Sequence, residues 1–180
     1  MKNVLLLTDV GNIYHSLKKR HPNRRLNYEK YMELATEGKD LYKAVAYCSE
    51  TDGKTENFFN KLQSLGYEVK SKQPHIFQVQ HPSGDPRTIK RLSWISRITI
   101  DAVIYSGRID EIVIGSNNDE LVDLVKFIKD RGVYVTIYAS NIGKQLATTA
   151  DNYLEIPEGI LYAAPSNESP DEAGKPEATE

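Results

Sequence analysis

The sequence predicts an α/β domain with a helix-covered, mainly parallel sheet of about five to six strands. Three observations carry that reading. The run Val4-Leu5-Leu6-Leu7 is apolar at every position and stops at Asp9, as a strand buried on both faces does. A helical apolar pattern, a glycine and a short strand succeed one another over residues 55–71, with Gly66 as the stop. The same unit returns over residues 127–138, with Gly132 as the stop. The 180 residues, 39% of them hydrophobic, suffice for one domain with a sizeable core.

The elements follow in order. After the first strand, Gly11 permits a tight turn and Asn12 can cap a helix over 13–19. Pro22-Asn23 marks a loop. Tyr28, Tyr31, Met32 and Ala35 stand at i, i+3, i+4 and i+7 and predict a second helix, ended by Gly38. Residues 41–48 form the second strand, and Thr51-Asp52-Gly53 a turn. A helix over 55–65 buries Phe58, Phe59, Leu62 and Leu65, and a strand over 67–71 follows. Residues 73–92 break the rhythm as an insertion, with an extra strand over 76–80 and a turn over 82–86. Residues 94–105 are helical by pattern. Trp94, Ile98, Asp101 and Tyr105 share one stripe, so Asp101 needs a partner or a metal if it is buried. A strand over 111–115 leads into Ser116-Asn117-Asn118-Asp119-Glu120 and a helix with Leu121, Leu124, Val125 and Ile128 inward. A strand over 133–138, a short helix over 144–150 and an edge strand over 151–156 complete the domain, which is expected to span residues 1–160.

Charge divides the chain. Seven acids and one base follow from Glu155 onward, a charge of −6, so residues 1–154 carry +4 of the total −2. The segment 161–180, rich in Pro, Ser, Glu and Ala, reads as a disordered acidic tail. Two basic stretches stand out. Lys18, Lys19, Arg20, Arg24 and Arg25 cluster without an acid among them. From Lys70 to Arg97 there are six bases and one acid, with His75, Phe77 and His81 interleaved. Such a stretch suits the phosphate backbone of a nucleic acid. The single Cys48 rules out an internal disulfide or a cysteine zinc cluster and fits a reducing, cytoplasmic setting. The opening apolar run is too short for a secretion signal, and no run nears the about 18 residues that cross a bilayer. The eleven tyrosines would suit an interface between two copies if several are exposed.

Acids recur where strand and helix ends converge: Asp9, Asp101 and the pair Asp119/Glu120. A pocket of such carboxylates suits Mg²⁺ or Mn²⁺, which take hard oxygen ligands and activate water against a phosphodiester. Asn12, Ser116 and Asn118 could orient waters or phosphate oxygens, and Lys90 or Arg91 could grip the backbone. The order of these motifs resembles the NYN domain family, the LabA-like branch of the PIN-like nucleases. Asp9-Val10-Gly11-Asn12 matches its opening Asp-x-x-Asn. Lys90, Trp94 and Asp101 match its middle, Ser116 to Leu121 its Ser-Gly-Asp-Ser-Asp-Phe motif, and Ala150-Asp151 its close. The resemblance implies a Rossmann-like, three-layer α/β/α fold and metal-dependent cleavage of RNA. Asp9, Asp101 and Glu120, or Asp119, would hold the ion. Two departures stand in the acidic motifs: Ile95 and Asn118 occupy positions that are acidic in the family. The alternative is therefore a degenerate module that binds RNA or a protein partner without cutting. A phosphatase or phosphoacceptor domain is a poorer fit, because Gly11 stands where the second aspartate of a dehalogenase-like site belongs, and no glycine-rich phosphate loop is present.

Overall fold

The computed structural model describes residues 2–50, 55–80 and 86–164. The expected turns at 51–53 and 82–86 fall wholly or mostly outside them, as does the tail from residue 165. Among the described residues ten strands and six helices run β1 (Asn3–Asp9), α1 (Val10–Arg20), β2 (Arg24–Leu26), α2 (Tyr28–Ala35), β3 (Asp40–Ser49), α3 (Glu56–Ser64), β4 (Tyr67–Lys72), β5 (His75–Gln80) and β6 (Pro86–Arg91). The chain continues with α4 (Ile95–Tyr105), β7 (Glu111–Gly115), a 3-10 turn (Asp119–Leu121), α5 (Val122–Asp130), β8 (Tyr134–Ala139), α6 (Lys144–Thr149), β9 (Asn152–Glu155), a second 3-10 turn (Glu158–Ile160) and β10 (Leu161–Ala163).

Six strands form one sheet in the order β4-β3-β1-β7-β8-β9, and every neighbouring pair is parallel. The expected strands are thus present, with the last one at the edge. Val4 to Leu7 are fully buried because helices cover both faces. Leu5, Leu7, Val45, Ile112, Ile114, Val135 and Ile137 pack under α4 and α5, with Trp94, Ile98, Leu121 and Ile128. Val4, Leu6, Ala44, Ala46 and Val113 face α1, α2 and α3, with Ile13, Leu17, Tyr31 and Leu62. This alternation, repeated on every central strand, makes the domain a three-layer α/β/α sandwich. Gly66 and Gly132 follow α3 and α5 with φ of 97° and 81°, the left-handed turn that a side chain resists.

The strand order reverses at β1. From there the chain builds outward to β3 and β4, then returns to the other side of β1 with β7. The crevice between the carboxyl ends of β1 and β7 is the topological switch point, where open α/β sheets bind ligands. Asp9 ends β1 and Ser116 follows β7.

Three features depart from the sequence reading. The cap of α1 is Asp9 rather than Asn12, and the helix starts at Val10, because the Asp9 carboxylate accepts the Asn12 N–H at 3.1 Å. Arg24–Leu26, read as part of a loop, is a strand paired antiparallel with Leu161–Ala163, and the folded chain runs through Ala163. The insertion carries two strands rather than one: β5 pairs antiparallel with β6 in the register His75↔Arg91 to Gln80↔Pro86, and with no other strand among the described residues.

Candidate functional site

Asp9 is 8% exposed, and its side chain is committed to the α1 cap. Burial pushes its carboxyl up to about 6, opposed by the Asn12 N–H and the more distant charge of Lys72. A relay of amides ties the rim together around it. Asn12 Oδ1 accepts the Asn117 N–H at 3.0 Å, and Asn117 Nδ2 donates to the carbonyls of Ser140 and Asn141 at 2.8 and 3.2 Å. The ends of β1, β7 and β8 are thereby held in one frame. Asn12 thus places a loop with its side-chain carbonyl, and its Nδ2 is the end that could donate to a ligand.

In-register pairing sets Tyr47 beside Asp9 and Lys70 beside Tyr47 across β1, β3 and β4. Asp101, on the buried side of α4, comes down onto this row at 2% exposure. The Tyr47 hydroxyl donates to its Oδ2 at 2.7 Å, Lys70 Nζ meets the same oxygen at 2.7 Å, and Arg97 Nε lies 3.5 Å from Oδ1. Burial by itself would raise this carboxyl, but Lys70, Tyr47 and Arg97 together hold it below the ordinary aspartate value. Lys72, two residues along β4, donates to the Ser93 carbonyl at 2.6 Å and sits 4.3 Å from the centre of the Trp94 ring. The Trp94 indole N–H is buried without a hydrogen-bond partner among the described residues. Tyr47 went unassigned in the sequence reading, and Lys70 and Lys72 were read there only as part of the basic run, not as neighbours of Asp101 and Trp94. The available signal was the i, i+2 spacing of two lysines on one strand, which places both on the α4 face.

The third motif closes the other side of the crevice. Ser116 is fully buried, and its Oγ accepts the Asn118 N–H at 3.3 Å. Asn118 Oδ1 accepts the Glu120 N–H at 3.0 Å and caps the 3-10 turn. Asp119 is turned toward Gly143 ahead of α6: a Cβ there would lie 2.6 Å from its Oδ1. Glu120 is exposed, as are Lys90 and Arg91 on β6. The fold thus joins Asp9, Asn12 and the 116–120 loop, and places Asp101 one strand away among cations. Among the described residues, no three Asp, Glu, His or Cys side chains are arranged to hold a metal ion.

A cleft of about 610 Å³ lies apart from this row, lined by Lys19, Arg20, Asn141, Glu155 and Glu158 among others. Arg20 pairs with Glu155 across it at 3.3 Å, and His21 Nε2 lies 3.9 Å from Glu158 Oε1.

With this geometry in place, the comparisons decide the family. The model described as NYN domain matches residues 3–157. The chain belongs to the NYN domain family. A crystal structure of a protein of unknown function, VPA0982 from Vibrio parahaemolyticus RIMD 2210633, is 26% identical with a TM-score of 0.75, over 89% of this chain and 96% of that one. The tetrameric inhibited form of phosphofructokinase-2 from Escherichia coli is 12% identical with a TM-score of 0.44, over 83% of this chain and 58% of that one, too distant to bear on function. No curated protein matches. NYN and other PIN-like nucleases generally depend on a divalent metal and act on RNA. The donor set here does not fit such a centre: Ile95 offers no oxygen, Asn118 Oδ1 is spent on a cap, and Asp101 is neutralised by Lys70 and Arg97. No helix of the described residues is long and apolar enough to cross a membrane.

Proposed function

We propose that this chain is an RNA-binding NYN module that holds its ligand without cleaving it. The observation that supports this best is the occupation of Asp101 by Lys70, Arg97 and Tyr47. Where a hydrolytic centre needs a free carboxylate, this fold presents an ammonium and a guanidinium. Lys70, Lys72 and Arg97, set against Asp101 and Glu68, leave a net positive edge beside the switch-point crevice, continued by Lys90 and Arg91. Phosphates meeting that edge displace counterions, so binding weakens with salt and needs no divalent ion.

A metal-dependent ribonuclease is the second reading. It is favoured by one feature, the buried Asp9, whose raised carboxyl is the kind of group a divalent ion would relieve. It asks a divalent ion to be held by Asp9 with Asp101 and Glu120, or Asp119, acids that the fold does not gather into a metal-holding cluster among the described residues. The two readings part in one experiment. Labelled single-stranded RNA is incubated with the protein in Mn²⁺ or in chelator, and melting temperature is followed in parallel. The binding module retains RNA in both buffers, leaves it intact, and melts at the same temperature with and without Mn²⁺. Cleavage that requires Mn²⁺ and disappears in Asp9→Asn overturns it.

A further inference from the structure

We propose that the β5–β6 hairpin is a stacking ribbon for single-stranded RNA, an inference that rests on the RNA-binding reading above and names the surface that meets the bases. The hairpin is a two-stranded sheet by itself, and such ribbons are marginal unless something covers them. Its register puts His75, Phe77, Val79, Ile89 and Arg91 on one face, and Ile76, Gln78, Thr88 and Lys90 on the other. Apolar side chains stand exposed on both faces: Ile76 is 64% exposed, Phe77 50% and Val79 45%. The rings of His75 and Phe77 lie 6.4 Å apart on the first face, with Arg91 directly across from His75.

Charge selects the occupant. No acid stands on either strand, and both faces carry a cation beside an apolar side chain. The hairpin is rooted between β4 and α4, the elements that present Lys70, Lys72 and Arg97, so its bases continue the positive edge outward. An apolar protein partner would not call for cations alone, whereas a strand of nucleotides lying on the first face offers phosphates to Arg91 and base faces to Phe77 and His75. Those base faces are free only when the strand is unpaired.

The test uses the full chain, an oligouridylate of about twelve nucleotides and a duplex RNA of the same length, with binding read by fluorescence anisotropy across a salt series. Phe77→Ala should weaken oligouridylate binding roughly five- to hundredfold while leaving the salt slope unchanged. Arg91→Ala should reduce that slope by about 0.7. The duplex should bind more weakly and ignore Phe77→Ala. Because Phe77 packs on a ribbon outside the core, thermal melts of both variants should match wild type. If wild type binds RNA and Phe77→Ala binds equally well, the hairpin inference falls alone. If wild type binds no RNA, the module reading falls and takes the hairpin with it. If sedimentation shows a wild-type dimer that Phe77→Ala splits while RNA affinity holds, the occupant is a second copy and the inference is overturned.

Discussion

Asp9 and Asp101 lie within one strand of each other at the same end of the sheet, both buried, and their surroundings push them in opposite directions. Asp9 has backbone N–H groups and only a distant lysine, so the cost of burying charge dominates and its carboxyl rises to about 6. Asp101 has an ammonium, a phenol and a guanidinium in contact, which outweigh the same cost and lower its carboxyl. Burial alone therefore says little about whether an acid is available. What decides is whether the fold delivers a cation within contact distance. In this rim the cations arrive on β4 and α4, and they arrive at Asp101 rather than at Asp9.

The same substitution at the two positions should break the comparison in opposite senses. Asp101→Asn leaves Lys70 partly buried without its closest charge partner. We expect a loss of about 3 kcal/mol at neutral pH, read as a lower urea midpoint. Asp9→Asn should instead stabilise the protein by about 2 kcal/mol above pH 6, since the amide keeps an acceptor for the Asn12 N–H and removes a buried charge. The sign follows from linkage. The folded state binds the Asp9 proton more tightly than the unfolded chain, so wild-type stability should fall as pH rises from about 4 to 6 and level off beyond. Asp9→Asn should flatten that fall in a series of melts. Asp101 works the other way: its contribution is present above the unfolded aspartate value and disappears as pH drops below it. The smallest effect is expected for Tyr47→Phe, which removes one hydrogen bond to a charged group while Lys70 and Arg97 remain, about 1.5 kcal/mol in the same urea titration. A stabilised Asp101→Asn, or a destabilised Asp9→Asn, would mean the two environments have been assigned the wrong way round.

Much of the fold was legible because burial leaves a local imprint. A strand covered on both faces must be apolar throughout, and a helix against a sheet repeats its apolar residues every three or four positions. The Asp101 stripe was legible too: its place among Trp94 and Ile98 announced that it would need a partner. The partner itself was not legible. Lys70 was one of six bases in a run that reads equally well as a solvated loop. Asn118, read as an orienter of water or phosphate, turns its carbonyl to the Glu120 N–H as a cap, and the turn of Asp119 toward Gly143 depends on where α6 is laid against the loop. The pairing of β2 with β10 was hidden because three-residue strands carry too little pattern, and their register joins residues more than a hundred positions apart.

The sequence by itself determined the helix-covered sheet, the order of its motifs and the presence of acids at its rim, because hydrophobic patterning and turn chemistry act over a few neighbouring residues. Tertiary structure alone decided which acid meets which cation. That depends on strand order and register: β3 and β4 are laid beside β1 so that Tyr47 and Lys70 fall in line with Asp9 and under α4. Charge pairing needs contact within a few ångströms, and contact between residues 31 apart in the chain is set by the sheet.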